Sequence, residues 1–183
     1  AEELKTNGSA KARSYDLVTV MFTDFKNFTQ ASEQMSPEEL VQEIDLLYRK
    51  FDTIIGRHSL EKIKTIGDSY MAAAGFGGDA AKSAIAAGRF ALAMLAVIDS
   101  QPPLAGRKLK MRIGIHCGEA TAGIIGSTRF SYDVWGDAVN FASPMRRSPT
   151  APGSACWPPA NYSPCRCRSA RVEGWSEADP SSG

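Results

Sequence analysis

The alternation of two periodicities constrains this fold more than any other feature of the sequence. Short apolar runs typical of buried strands alternate with stretches of 3.6-residue period typical of amphipathic helices. The first strand is predicted in the run LVTVMF at residues 17–22. The first helix is predicted to begin after Ser36, a natural N-cap, with Pro37 and Glu39 in its first turn, and to end at Gly56. The chain thus begins with a strand followed by a long helix.

The sequence after residue 59 predicts the remaining strands of the sheet and a second helix. Residues 60–65 and 70–76 form a predicted hairpin with a tight turn at 66–69, and Asp79 is predicted to cap a second helix. Core and sheet-facing positions of that helix are predicted at Ala84, Ile85, Gly88, Ala91, Leu92, Leu95 and Ile98. MRIGIHCG and TAGIIG are then predicted as a second hairpin. This order predicts an α+β, ferredoxin-like (split βαβ) fold, an antiparallel sheet with helices on one face.

Composition and charge narrow the class of protein. Hydrophobic residues make up 43% and charged residues 22% of the chain, which is ordinary for a globular domain. Lys and Arg number 21 against 20 Asp and Glu, so neither a nucleic acid nor an anionic membrane surface is an expected partner. The longest apolar stretch, residues 80–98, is interrupted by Lys82 and Arg89, and we predict no membrane-spanning segment. No secretory leader is recognisable, which favours a cytoplasmic location.

Changes in composition and periodicity along the sequence divide the chain into three parts. Residues 1–14 are polar and are predicted to be a linker or the end of an upstream segment, and residues 15–143 form the predicted domain. Residues 144–183 hold seven of the ten prolines and three of the four cysteines, with no helical or strand period. Two interpretations of this tail stay open: a disordered segment, or a sequence that departs from the natural reading frame. The uneven cysteine placement favours thiols over a disulfide framework.

Two carboxylates stand out by their position in this fold. Asp24 ends the first strand, in FTDFKNFT, and Asp68 lies at the tip of the first hairpin, in KTIGDSY. The first strand and this hairpin are neighbours in a ferredoxin-like sheet, so both carboxylates can converge on one edge. Such a pair can hold Mg²⁺ or Mn²⁺ against a polyphosphate. The alternatives are an ordinary turn residue for Asp68 and an N-cap for Asp24.

The peptide after Asp24 is a second candidate for phosphate contact. Its residues are Phe25, Lys26, Asn27, Phe28 and Thr29. A strand-to-helix loop at this place can aim backbone N–H groups at a phosphate. The signal is weak because no Gly-x-Gly pattern accompanies it, and the two phenylalanines are expected to anchor the core.

Four motifs together resemble one family. FTDFKNFT, EKIKTIGDSYMAAAG, MRIGIHCGEATAGIIG and YDVWGDAVNFAS occur in the order and with the spacings of the class III nucleotidyl cyclases, which make cyclic AMP or cyclic GMP. The resemblance covers residues 14–143. It implies that Asp24 and Asp68 bind two divalent metal ions, Mg²⁺ or Mn²⁺. It also implies that Lys64 and Asp133 read the base; this pair suits adenine, since guanylyl members typically carry Glu at the lysine position.

The resemblance implies catalytic roles for two more residues, and the sequence departs from the family pattern at two points. Asn140 matches the asparagine that orients the ribose, and Arg112 matches an arginine that contacts phosphate. An arginine usually stands four residues after that asparagine, where this chain has Pro144. Arg146 and Arg147 lie on other helical faces, so they are not expected to replace it. Family members also carry, further along the chain, a lysine that binds the terminal phosphates. Residues 148–183 contain no lysine, so this residue is missing here.

The implied protein is an adenylyl cyclase that acts on ATP as a homodimer with shared sites. Family members place the metal aspartates of one subunit against the base-reading pair and asparagine of its partner, and this chain carries both sets. Two alternatives stay open. One is a cyclase-fold pseudo-enzyme that only binds nucleotide or dimerises, which Pro144 and the tail favour. The other, a diguanylate cyclase or polymerase palm, is disfavoured because the chain lacks a GGDEF-like hairpin.

Overall fold

The fold is an antiparallel sheet covered by helices. A computed structural model describes residues 12–26, 28, 32–104, 106–126, 130–145 and 170–173 of the 183-residue chain. The strands are β1 (Arg13–Lys26), β2 (Glu61–Ile66), β3 (Ser69–Ala74), β4 (Lys110–Ile125), β5 (Ser131–Trp135) and β6 (Ala170–Glu173). The helices are α1 (Pro37–Ile55), α2 (Ala80–Asp99) and α3 (Asp137–Met145), with a 3₁₀ turn at Gly56–His58.

All strands described belong to one sheet. Its order is β2-β3-β1-β4-β5, with β6 also paired to β4. Every pairing is antiparallel. The predicted α+β class with a ferredoxin-like antiparallel sheet is therefore confirmed.

The central pair of strands, β1 and β4, is longer than the sequence pattern indicated. The pairing runs from Lys26↔Lys110 to Arg13↔Ala122. β4 is thus one continuous strand of 16 residues, and the prediction of a hairpin between MRIGIHCG and TAGIIG is wrong. β1 supplies hydrogen-bond partners to both halves of β4, and this tertiary constraint is absent from the local pattern. The second hairpin is formed by β4 and β5 instead, with Gly123 opposite Asp133.

A bulge in β1 bends this central pair. The register with β4 shifts between Tyr15 and Val18, and such a shift bends the bulged strand and increases its twist. The C-terminal half of β4 and strand β5 curve toward one face of the sheet. On that face Ala122 and Val134 join Val18 in a core cluster. The edge strands β2 and β5 consequently come into contact.

Helix α1 begins and ends as its sequence predicts. The Ser36 side chain accepts a hydrogen bond from the backbone N–H of Glu39, and the Glu39 carboxylate accepts one from the Ser36 N–H. These two bonds complete a capping box, Pro37 occupies the first turn, and Gly56 is the C-cap. The capping bonds also lower the pKa of Glu39.

Helix α2 is capped by Asp79, as predicted, but its core-facing side differs. Its buried residues are Ser83, Ala87, Phe90, Ala91, Met94, Leu95 and Ile98. Ile85 and Leu92, predicted in the core, are 56% and 58% exposed, because Phe90 and Met94 set the rotation of the helix on the sheet. The helix is also long and apolar enough to cross a membrane by length and composition, contrary to the sequence-based prediction. The buried side of this helix packs against β1, β3 and β4 of the sheet.

The sheet separates two hydrophobic clusters. Odd-numbered residues of β1, Met21 and Phe25, face a cluster shared with α1 and α2. Even-numbered residues such as Val20 and Phe22 face a second cluster, which includes Ala138 of α3. The two long helices therefore lie on one face, as predicted, and the short helix α3 lies on the other.

Strand β6 lies in the tail that was predicted to lack strand character. Its register on β4 runs from Arg112↔Glu173 to Ile115↔Ala170. For these four residues the prediction is wrong, because backbone pairing with β4 needs no apolar periodicity. The rest of the tail after Met145 lies outside the described residues.

Candidate active site

The end of β1 and the β2–β3 turn bring the two predicted metal ligands together. The Ser69 hydroxyl donates to the Thr23 carbonyl oxygen at 2.5 Å, and the Tyr70 N–H donates to Thr23 Oγ1 at 3.0 Å. These bonds join Thr23, which precedes Asp24, to Ser69 and Tyr70, which follow Asp68. Burial, then the charge of the Asp24 carboxylate, raises the pKa of Asp68. The convergence predicted from topology is thus present.

Strand alternation places Asp24 away from the helices α1 and α2. Phe25 is 3% exposed in the core beneath those helices. Asp24 has the same parity as Phe22 and therefore lies on the α3 face of the sheet. It is also 8% exposed, which is unusual for an acidic side chain without a partner of opposite charge.

That partner is Arg112, which lies directly opposite Asp24 in the β1–β4 register. The Arg112 guanidinium donates through Nη2 to the Asp24 carboxylate. Its Nε is buried and has no hydrogen-bond partner among the described residues. The sequence analysis assigned Arg112 to phosphate; in the structure it donates to the Asp24 carboxylate, which was predicted to bind metal.

A tyrosine that the sequence analysis did not select supports the turn. Tyr48 of α1 donates from its hydroxyl to the Gly67 carbonyl oxygen at 3.0 Å, one residue before Asp68. Burial, then the charge of Asp68, raises the pKa of the Tyr48 phenol, so it remains a donor. A core-facing tyrosine needs a partner for its hydroxyl. This need for a hydrogen-bond partner is the feature of the sequence that could have pointed to Tyr48.

The Asp24–Asp68 pair is suited to a hard divalent cation. No group of three or more His, Cys, Asp or Glu side chains is placed for a metal within the described part of the chain. Mg²⁺, however, is usually held by one or two carboxylates together with substrate phosphates and water. Two close carboxylates, one with a raised pKa, carry excess negative charge that a cation relieves. The residues therefore fit a metal bound together with a polyphosphate.

The predicted base-reading residues form an ion pair between the edge strands β2 and β5. Lys64 of β2 and Asp133 of β5 are joined by a 2.5 Å contact between Nζ and Oδ2. Asp133 also accepts from the Val134 N–H through Oδ1 at 2.8 Å. The Lys64 side chain is 35% exposed and the Asp133 side chain 10% exposed. The pair is consequently held in place yet open to solvent on the lysine side.

Asn140 lies one turn into α3, close along the chain to Asp133. The intervening Gly136 has φ of 126°, and a Cβ there meets the Glu119 carbonyl oxygen at 2.9 Å. Only glycine fits this turn, which fixes the start of α3. Asn140 is exposed, and its side chain makes no hydrogen bond within the described residues. Helix α3 continues through Pro144 and ends at Met145.

The predicted phosphate loop is described only in part. Phe25 is buried, and Phe28 packs against the same cluster with ring centroids 5.9 Å apart, so both anchor the core as expected. Lys26 is exposed at the end of β1. Asn27 and Thr29 lie outside the described residues. The loop's phosphate contact stays a prediction.

Comparison with known proteins decides the family. A sequence profile described as the adenylate and guanylate cyclase catalytic domain matches residues 10–152. The chain belongs to this family. Within it, the cyclase domain is 42% identical over 134 residues to an adenylate cyclase of Mycobacterium tuberculosis, spanning 73% of this chain and 30% of that protein. It is 36% identical over 156 residues to the receptor-type guanylate cyclase gcy-6 of Caenorhabditis elegans, spanning 84% of this chain and 14% of that protein.

Solved structures agree with the fold of the cyclase domain. The catalytic core of a rhodopsin-guanylyl cyclase with converted specificity, in complex with ATPαS, matches with a TM-score of 0.69 and 34% identity, covering 75% of this chain and 74% of that one. A non-canonical dimeric guanylyl cyclase domain from Blastocladiella emersonii matches with a TM-score of 0.68 and 33% identity, covering 74% and 76%. Relatives thus include both base specificities, and the chain spans less than a third of the sequence relatives described above.

Proposed function

We propose that the cyclase domain is an adenylyl cyclase that converts ATP to 3′,5′-cyclic AMP and pyrophosphate. The observation that carries this proposal is the Lys64–Asp133 pair, with Nζ and Oδ2 2.5 Å apart. It presents one cationic donor and one anionic acceptor side by side. Adenine presents the complementary edge, with N1 as an acceptor and the N6 amino group as a donor.

The pair also disfavours guanine. Guanine carries an acceptor at O6 and a donor at N1, which is the reverse of adenine at the same edge. Asp133 is largely buried, and guanine in the same orientation sets its O6 acceptor against this carboxylate and its N1 donor against the Lys64 ammonium. Each such mispairing costs roughly 1–3 kcal/mol. The choice of base therefore follows from two side chains that the fold already holds together.

The reaction requires little covalent chemistry from the protein. The ribose 3′ oxygen forms a bond to the α-phosphorus, the bond from that phosphorus to the bridging oxygen breaks, and pyrophosphate leaves. The hydroxyl proton passes to water. Asn140 orients the ribose, and the Lys64–Asp133 pair fixes the base, so that the 3′ oxygen and the α-phosphorus are held in line.

Asp24 and Asp68 hold the divalent ions in this proposal. When bound, such ions lower the pKa of the 3′ hydroxyl and neutralise charge on the phosphates. The hydrogen bonds from Ser69 and Tyr70 to Thr23 keep the two aspartates in register. Tyr48 fixes the turn from the other side.

We also propose a homodimer with two shared sites. A cavity of about 260 Å³ lies between α1 and the loop after α2, and no predicted site residue lines it. Asn140 is exposed and the Lys64 side chain is 35% exposed, as expected for residues that border a cleft completed by a second copy. Apolar side chains near Asn140 support this arrangement, since Trp135 is 37% and Phe141 51% exposed.

Exchange of the base-reading pair tests the adenine assignment. In the double variant Lys64→Glu with Asp133→Cys, the ratio of kcat/KM for ATP to that for GTP is expected to fall at least about tenfold, because both hydrogen-bond polarities change. Rates of cyclic AMP and cyclic GMP formation measure it. The control is Lys108→Glu with Asp99→Cys, which alters an exposed Lys–Asp pair. An unchanged ratio in a folded double variant contradicts the assignment.

A second candidate function rests on Pro144. Proline has no N–H and no side-chain donor, and the family places an arginine at this helical position. The alternative is a cyclase-fold module that binds ATP or dimerises without turnover. Binding of ATP with no cyclic nucleotide formed, both in this chain and in a Pro144→Arg variant, favours the alternative.

A further inference from the structure

The Asp24 carboxylate faces two competing uses. In the proposed function it binds a divalent ion, yet in the structure it accepts a hydrogen bond from the Arg112 guanidinium. Both residues are largely buried in this pair, with 26% of the Arg112 side chain and 11% of the Asp24 side chain exposed. A metal ion that coordinates Asp24 therefore competes with an existing cation.

The arginine is held at this place by the fold and is incompletely satisfied there. Arg112 lies opposite Asp24 in the strand register, so the pairing follows from β1–β4 alignment. Its buried Nε has no hydrogen-bond partner among the described residues. A guanidinium has five N–H donors, and an anionic group such as phosphate can accept from two of them at once. Arg112 thus has unused capacity for a second anionic partner.

The local charge explains why a counter-ion is needed. Asp24 and Asp68 are close enough for the charge of one to affect the other. One arginine offsets one of these two negative charges. Removing Arg112 from Asp24 without a replacement leaves two uncompensated carboxylates, which is costly at a largely buried position. Metal and phosphates together provide the replacement, since the metal takes Asp24 and the phosphates take Arg112.

We propose that Arg112 occupies Asp24 as a counter-ion in the nucleotide-free chain and releases it to the metal ion when nucleotide phosphates bind the guanidinium. This inference rests on the proposed function, because it assumes metal at Asp24 and Asp68. It goes further by coupling the two ligands. Metal alone binds weakly, and nucleotide and metal each raise the affinity for the other.

The test is Mn²⁺ binding without nucleotide, measured from the electron paramagnetic resonance signal of free Mn²⁺. Arg112→Gln is expected to bind Mn²⁺ about tenfold more tightly than the unaltered chain. Arg112→Met, an uncharged residue with a similar apolar stem, is the second variant should the glutamine variant fail to fold. Adding Asp68→Asn to either variant is expected to abolish the gain, which locates the ion.

A matched control separates this pair from general charge effects. Arg49 also forms an ion pair with an aspartate, Asp45, at 2.6 Å, but on the exposed side of α1. Arg49→Gln removes the same charge and is expected to leave Mn²⁺ affinity unchanged. Equal Mn²⁺ affinity in the unaltered chain and in the folded Arg112 variants overturns the inference.

A second arm distinguishes this failure from failure of the proposed function. Calorimetry measures binding of α,β-methylene ATP to the unaltered chain in the presence of Mn²⁺. Binding there with no effect of Arg112 substitution on Mn²⁺ affinity overturns the counter-ion role alone. No binding of the analogue overturns both the proposed function and the inference.

Discussion

Replacing Pro144 with arginine is expected to raise the rate of cyclic AMP formation by about 10²–10³. Residue 144 lies four residues after Asn140 within α3, and positions four apart are neighbours along an α-helix. In the family an arginine at this position stabilises charge on the phosphate. A single donor aimed at developing charge is typically worth that factor in turnover. The measurement is the initial rate with ATP and Mn²⁺ for both chains.

The control for this prediction is Pro144→Ala. Alanine restores the backbone N–H and the donor to the Asn140 carbonyl, which proline cannot supply, but it adds no side-chain donor. We expect its rate to remain close to that of the unaltered chain. If the arginine variant is no faster than the alanine variant, the missing donor is not what limits this chain.

Mixing two inactive variants is expected to restore activity. Asp24→Asn removes a proposed metal ligand and Asn140→Ala removes the proposed ribose contact, and each alone is expected to reduce turnover by at least about 10². In a homodimer with shared sites, a mixed dimer has one doubly altered site and one intact site. Random exchange of equal amounts therefore recovers about a quarter of the parent rate. Assays in the Pro144→Arg background make the signal measurable.

The matched control mixes Asp24→Asn with Asp68→Asn. Both substitutions affect the same side of a shared site, so every site in every dimer keeps at least one defect, and no recovery is expected. Failure of the first mixture to recover, with both variants dimeric by light scattering, argues that each site lies within one subunit.

Local sequence signals predicted those features whose causes are local. The capping box of Ser36 and Glu39 depends on residues three apart, and the sequence located it correctly. The turn that carries Asp68 was likewise recognisable between two apolar runs. Asp24 and Asp68 could be placed at one edge because the sheet topology itself was predictable.

Features that depend on register or rotation could not be read in the same way. β4 contains glycines that resemble a turn, yet pairing with β1 on both sides of them keeps it one continuous strand. Leu92 fits a helical period but faces solvent, since Phe90 and Met94 fix the rotation of α2. The contact of Arg112 with Asp24 required the cross-strand register, which no local pattern contains.

The direct test of the central claim is product formation from ATP and GTP by the Pro144→Arg chain and the unaltered chain, with Mn²⁺. Cyclic AMP, cyclic GMP and pyrophosphate are quantified together. The account predicts cyclic AMP with an equal amount of pyrophosphate, and a preference for ATP over GTP of at least about tenfold. Predominant cyclic GMP contradicts the adenine assignment of Lys64 and Asp133. Nucleotide binding without any cyclic product from either chain contradicts the enzyme assignment itself.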